Sequence, residues 1–295
     1  MVLDDRLILI VGATGFLGQP VVYMLDHFGF PLRLLSRDPD KAAKIFGSQF
    51  DIVKGDIADH ESLEKAAEGC YGVHINLKGG PRPKDFDRIE HRGTAASVKA
   101  AVKQGVTRIT YLSGASVARD RLWFAPVKAK YNAEQAIIKS GLEYAIFRAT
   151  WFMESLPLFV RDNQATVMGR QPQGIHWLAA EDYARMVAGA YLSDGPLNNI
   201  FSTWGPEEYT FNKALEIFCS INYPNVKVHN VPLGVLRFFA AITFSRPLKE
   251  VLPLMKYFEK YGETGDPTST DELLGASQIT LEEWCRRYKQ NSDSN

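Results

Sequence analysis

Apolar residues along the first half of the chain follow two rhythms. The runs 7–12, 31–35, 51–54, 72–77, 108–112 and 143–148 are short, dominated by branched aliphatic and aromatic side chains, and read as strands. Between them, segments 19–28, 39–46, 60–68 and 89–104 carry small and apolar residues at helical spacing. Local signals agree with this division. Asp38 before Pro39 reads as an N-cap and first helical residue, and Gly69 is a helix stop. Strand alternating with helix to about residue 150 predicts an α/β fold with a right-handed, doubly wound parallel sheet.

Beyond residue 150 the rhythm changes. Segment 175–180 leads into a helix over 183–192, with Glu181 and Asp182 as capping acids; Thr210 begins a helix reaching Ser220, and 226–231 reads as a strand. From 232 to 261 aromatic, apolar and basic residues alternate, as a substrate lid or a docking face for a protein or membrane surface would. Segment 262–270 is a polar loop, and Thr280-Leu281-Glu282-Glu283 matches a capping box opening a last helix, with 291–295 fraying. The expectation is a dinucleotide-binding domain over 1–150 and a smaller, mostly helical lobe over 151–295, some of whose segments return to the first domain.

Composition narrows the function classes. Hydrophobic residues make up 45% and charged residues 23% of the 295, ordinary for a globular protein. A formal net charge of +0 gives no global field toward nucleic acid. The run 231–244 is interrupted by Arg237 and too short to cross a bilayer. Cys70, Cys219 and Cys285 are far apart and lack metal-ligand spacing. With no room read for a leader ahead of the first strand, a reducing, cytoplasmic location is expected. The oligomeric state stays open.

The first strand runs into Gly12, Gly15 and Gly18 within LILIVGATGFLG, and a helix follows. Strand, glycine turn and helix in that order suit a dinucleotide. The first glycine permits the turn, the second lets amides approach a pyrophosphate, and the third allows close packing of helix on strand. Thr14, Phe16 and Leu17 complete the phosphate-facing stretch at the positive end of the helix dipole. The GxxGxxG spacing resembles the extended and atypical branches of the short-chain dehydrogenase/reductase superfamily.

At the end of the second strand stand Ser36 and Arg37, where an NAD site usually offers an acid to the ribose. A guanidinium grips a 2'-phosphate through two parallel hydrogen bonds, with Ser36 as a further donor, so NADP(H) is expected over NAD(H) by about tenfold or more. The alternative is a solvated surface arginine. By the superfamily resemblance, Asp56 and Ile57 contact adenine, though a turn aspartate is a rival reading. Asn76 and Leu77 fall at the carboxyl end of the fourth strand, where such sheets bind their ligands, and loop 78–83 lies at the same edge. His74 reads as a hydrogen-bonded core residue.

Ser113 ends the fifth strand, Lys130 and Glu134 share a helix, and an SGLxYxxxR segment spans 140–148, followed by Trp151 and Phe152. As a set these resemble the NmrA-like group of atypical short-chain dehydrogenases/reductases over most of the chain. The resemblance implies that Lys130 contacts the ribose and takes part in catalysis. Trp151 and Phe152 either stack on nicotinamide or pack, and His176 is a weaker candidate donor. Conventional members use a YxxxK pair and a serine; here those positions fall on Pro126 and Gly114. Two function classes follow: reduction of a small apolar acceptor, such as a quinone or activated carbonyl, or a noncatalytic NADP(H)-dependent redox sensor or assembly protein acting on a protein partner.

Overall fold

The structure, a computed structural model, describes residues 6–80 and 82–293. The first half runs β1 (Ile8–Val11), α1 (Gly18–His27), β2 (Leu32–Ser36), α2 (Pro39–Phe46), β3 (Asp51–Lys54), α3 (His60–Ala67) and β4 (Gly72–Ile75). Helix α4 (Pro83–Asp85) then passes through a π-helical segment, Phe86–Gly93, into α5 (Thr94–Lys103). Next come β5 (Arg108–Gly114), α6 (Ala125–Ile138) and β6 (Glu143–Ala149). The second half holds β7 (Val160–Arg161), β8 (Gln164–Met168), β9 (Gly174–His176), α7 (Ala180–Leu192), β10 (Asn198–Thr203), β11 (Glu208–Thr210), α8 (Phe211–Asn222) and β12 (Val228–Val231). Helices α9 (Leu233–Ile242), α10 (Arg246–Lys260), α11 (Thr268–Leu274) and α12 (Leu281–Asp293) close the described chain.

Seven parallel strands form the central sheet in the order β10-β6-β5-β4-β1-β2-β3, the doubly wound arrangement expected. Alternation along β1 shows why its residues are all apolar. Ile8 and Ile10 pack on the face covered by α1 and α7, whereas Leu9 and Val11 face the layer of α3 and α5. Neither face of this strand meets water. The local signals hold as well: Asp38 Oδ1 accepts from Lys41 N at 3.0 Å, Thr210 Oγ1 from Lys213 N at 3.3 Å, and Thr280 Oγ1 from Glu283 N at 3.3 Å.

The main departure is β10. It pairs in parallel with β6 and supplies the seventh strand, although its first residues, Asn198 and Asn199, are polar and no strand was expected there. Arg108 secures this return. Its guanidinium, almost wholly buried, bonds Glu143 at 2.7 Å and the carbonyls of Ala190, Ser193 and Gly195, so the turn between α7 and β10 is fastened to the head of β5. The later segments also contain two small sheets, β7-β8-β12 and β9-β11, set among α7 to α12, so the region after β6 is mostly helical, as expected. Helix 89–104 starts earlier, at Pro83, and α12 continues to Asp293 where fraying was expected from 291. Pro81 of the predicted loop, with Ser294 and Asn295, lies outside the described residues. All three cysteines are buried and free.

Glu154 joins the lobe to the sheet. Its Oε1 accepts from Ala180 N at 3.0 Å, the first residue of α7, and from Trp284 Nε1 of α12 at 2.9 Å, while Oε2 is buried without a hydrogen-bond partner among the described residues. Burial outweighs these bonds and pushes the carboxyl up to about 7. The folded protein therefore holds a proton that the unfolded chain releases near 4.5. This stabilisation is complete below the unfolded value and is lost as pH rises through about 7. Melting curves should lose up to about 3 kcal/mol of stability from this group over that window, and Glu154→Gln should flatten the loss. Parallel pH dependences for the two proteins would remove Glu154 as the cause.

Candidate functional site

β1 and β4 are neighbours, but the chain leaves them in opposite directions across the sheet, which makes their carboxyl ends the switch point of the fold. The glycine turn fills this place. Gly12 has φ +94°, and a Cβ there would stand closer than 3.0 Å to the carbonyl oxygen of Asn76; a Cβ on Gly18 would approach the carbonyl of Gly12 as closely. Both positions are closed to any side chain. Gly15 differs: its Cβ would meet only the Gly12 carbonyl, at 3.1 Å, with open space beyond.

Hydrogen bonds from Gly15 N to Gly12 O and from Gly18 N to Gly15 O curl the turn. Among the described residues, the amides of Phe16 and Leu17 donate to no acceptor, and Gly15 and Phe16 are exposed. Unpaired amides at the head of α1, over a glycine without a side chain, fit a diphosphate.

On the β2 side, Arg37 is exposed and, among the described residues, has no hydrogen-bond or ion-pair partner. Ser36 is different from the expectation. Its hydroxyl donates to Asp38 O at 2.8 Å and accepts from Asp38 N at 3.2 Å, so its proton shapes the turn and is not free for a phosphate. Asp56 Oδ1 accepts from Ala58 N at 2.9 Å, the turn role read as the rival to adenine contact, while its other oxygen has no such bond among the described residues. Ile57 and Leu77 both lie against Gly93 of the π-helical segment, where a Cβ would collide with Ile57.

The other flank of the switch point is built around Lys130. Its Nζ donates to Leu112 O at 3.1 Å, lies 3.4 Å from Glu90 Oε2 and sits 5.6 Å from the centre of the Tyr111 ring. Gly114, the position of the conventional serine, lies alongside: a Cβ there would be 3.7 Å from Lys130 Cδ. Glu90 was not foreseen. It is buried and its Oε1 accepts from Gly79 N at 2.5 Å, drawing the loop after β4 toward Lys130. Arg82 binds Asp85 through two bonds, 2.9 and 3.0 Å, and pins the same loop to the helix it precedes.

Ser113 belongs to a buried network beside this flank. Its hydroxyl donates to Glu134 Oε1 at 2.6 Å, and Arg148 grips Glu134 bidentately at 2.9 and 2.6 Å. Glu134 is fully buried between these two partners, and the Ser113 proton is engaged with it. Tyr111, whose phenol burial holds well above its ordinary value, is also sealed in. His74 bonds Thr110 Oγ1 at 2.8 Å with its ring pushed down to about 3 by burial, as a core histidine should be.

The two aromatic residues after β6 divide between cores. Trp151 packs on Phe258 and Phe211, at centroid distances of 4.9 and 5.3 Å, within the lobe; Phe152 lies 5.6 Å from Tyr183 of α7. Their observed contacts are the packing alternative. A further pair stands nearby: His176 Nδ1 is 2.9 Å from Glu263 Oε2, and its ring stacks on Trp204 at 4.4 Å. Thr264, next to Glu263, donates through its amide to Ala115 O at 3.0 Å. This brings the histidine's partner segment to the turn that leaves β5.

A family model described as NAD(P)H-binding matches residues 12–175, more than half of the chain. The chain is 28% identical to the chloroplastic divinyl chlorophyllide a 8-vinyl-reductase of Cucumis sativus, covering 92% of this chain and 69% of that protein. It is 24% identical to the photosystem II assembly factor Ycf39 of Cyanophora paradoxa, over 78% of this chain and 73% of the other. Its fold is that of the Escherichia coli NADPH-dependent quinone oxidoreductase QOR2 complexed with NADPH, with a TM-score of 0.75 at 20% identity, covering 95% of this chain and 99% of that one.

The glycines separate packing from binding. Gly15→Ala should leave the melting temperature nearly unchanged while weakening nicotinamide nucleotide binding about tenfold or more by calorimetry, because its methyl group enters the open cradle. Gly12→Ala should damage both, since its methyl group meets backbone at a positive φ. Equal losses of stability from the two variants would contradict the distinction.

Proposed function

The chain belongs to the NAD(P)H-binding family, and from that premise we propose that it is an NADP(H)-dependent reductase of a small apolar acceptor, a quinone or an activated carbonyl. One observation carries the reading. An open, amide-lined glycine turn shares its sheet edge with a lysine held in place by a buried glutamate. Gly12, Thr14, Gly15, Phe16, Leu17 and Gly18 would hold the diphosphate, Arg37 the 2'-phosphate, and Asp56, Ile57, Asn76 and Leu77 the adenine side and the strand edge. The three separate free thiols suit a reducing, cytoplasmic compartment.

Bound dihydronicotinamide supplies a hydride. The protein's own task is to orient the acceptor and help neutralise the charge it gains. Lys130 is fitted for this: Leu112 O and the Glu90 carboxylate fix its ammonium, which would contact the ribose and lend positive charge to the nearby reaction centre. A quinone suits such a site. One quinone oxygen takes the hydride, the resulting hydroquinone anion is delocalised, and a proton from Lys130 or water completes the hydroquinone. An unactivated ketone would develop a localised alkoxide and need the phenol that Pro126 cannot provide.

A second reading keeps the nucleotide and drops the turnover. The absence of both hydroxyls favours it, as does the similarity to a protein named as an assembly factor. NADPH oxidation followed across quinones and activated carbonyls at saturating nucleotide separates the two. Turnover that falls about tenfold or more in Lys130→Met, with NADPH still bound, is the expected result. No turnover with any acceptor would overturn the reductase, and capture of a protein partner that differs between NADPH and NADP would establish the sensor.

Cofactor choice has its own test. Arg37→Ala should weaken NADP(H) binding about tenfold or more and leave NAD(H) binding almost unchanged. Equal losses for both nucleotides would remove the 2'-phosphate assignment.

A further inference from the structure

Helix α9 has two apolar faces. Leu233, Leu236 and Ala240 turn toward the protein, and Ala240 is buried. Val235, Phe238, Phe239 and Ile242 repeat at i, i+3, i+4 and i+7 on the other face and are 43 to 63% exposed. Phe244, in the turn to α10, is 80% exposed and adopts φ +51°, a conformation bulky side chains rarely accept. An aromatic ring is thus held in water by a strained backbone, at the end of a stripe that ordinary folding would bury.

The border of this stripe is cationic. Lys249 Nζ lies 5.1 Å from the centre of the Phe244 ring, while Arg237, also exposed, precedes the two phenylalanines of α9. Residues 233–260 contain five Lys or Arg and two Glu, in a chain of zero formal charge. Of the two acids, Glu259 accepts from Arg170 N at 2.7 Å. Taking roughly 200 Å² per aromatic ring, the exposed apolar side chains present about 500 Å². Apolar side chains bounded by long cationic ones match acyl chains bounded by anionic headgroups.

We propose that the α9–α10 turn is a peripheral membrane-binding element. α9 lies flat in the headgroup region of an anionic bilayer, with Phe238, Phe239, Ile242 and Phe244 in the acyl boundary and Lys249 against lipid phosphates. Flat insertion is what the lengths allow, because among the described residues no helix is long and apolar enough to cross a membrane. The contact also has a route inward. α10 spans about 22 Å from the turn, and near its far end Tyr257 Oη donates to Ser116 O at 3.1 Å, two residues beyond β5. The proposal stands independently of whether the site reduces an acceptor.

Co-sedimentation of the full chain with phosphatidylcholine vesicles, with and without phosphatidylglycerol, tests it. Binding should be about tenfold or more stronger to the anionic vesicles and fall with added salt. The double variant Phe238→Asp, Phe239→Asp should lose about tenfold or more of that binding while keeping its melting curve and NADPH affinity, and Lys249→Glu should weaken it alone. Wild-type protein that binds neither vesicle, or a double variant that binds as well as wild type, overturns the proposal. So does a wild-type dimer in sedimentation velocity that the double variant makes monomeric, which would assign the face to a second copy of the chain.

Discussion

The carbonyl oxygen of Asn76 occupies the space in which residue 12 would carry a side chain, and the carbonyl of Gly12 does the same for residue 18. These two backbone contacts bring the ends of β1 and β4 and the start of α1 into one tight corner. A methyl group at either place would push strand from strand or helix from sheet. Because the corner is closed by backbone alone, its outer surface remains amide-lined and open at Gly15 and Phe16. The packing constraint and the anion-binding capacity are thus two results of the same absence of side chains.

Two buried glutamates extend this order toward β5, by different means. Glu134, on α6, is neutralised bidentately by Arg148 and satisfied by Ser113, so it locks the helix to the ends of β5 and β6. Glu90, on the π-helical segment, divides itself between Gly79 N and the Lys130 ammonium. Its second oxygen accepts no hydrogen bond among the described residues, and the lysine remains partly exposed. The first glutamate is saturated and serves packing; the second leaves its lysine able to exchange one partner for another. Gly114 keeps the space beside that lysine free of a hydroxyl.

Much of the sheet was legible because its information is local. β1 to β6 are apolar runs with turn or cap residues at their ends, and Asp38, Thr210 and Thr280 announce their helices through side-chain oxygens that reach an amide three residues on. β10 was not legible, since Asn198 and Asn199 mask a strand whose identity comes from its pairing with β6. Glu90 escaped for a different reason. Its side chain is charged, and the partners that hold it in the interior, Gly79 N and Lys130, come from segments that only the fold brings to it. For Ser36 and Ser113, residue type indicated a donor correctly, but only the fold shows that Asp38 and Glu134 already receive those protons.

The position of β10 has a consequence for biogenesis. Strand β6 has β5 on one side, but its other edge is completed only by residues made some fifty positions later, after the small sheets and α7 have appeared. During synthesis the nascent sheet therefore presents an unfilled ladder of backbone donors and acceptors, flanked by Phe147, which later stacks on Phe201 at 5.8 Å. Such an edge is a template for mispairing with neighbouring chains, and the long loop that must close before it is covered makes its closure slow. The central sheet therefore reaches its full width only when the second half of the polypeptide has joined it.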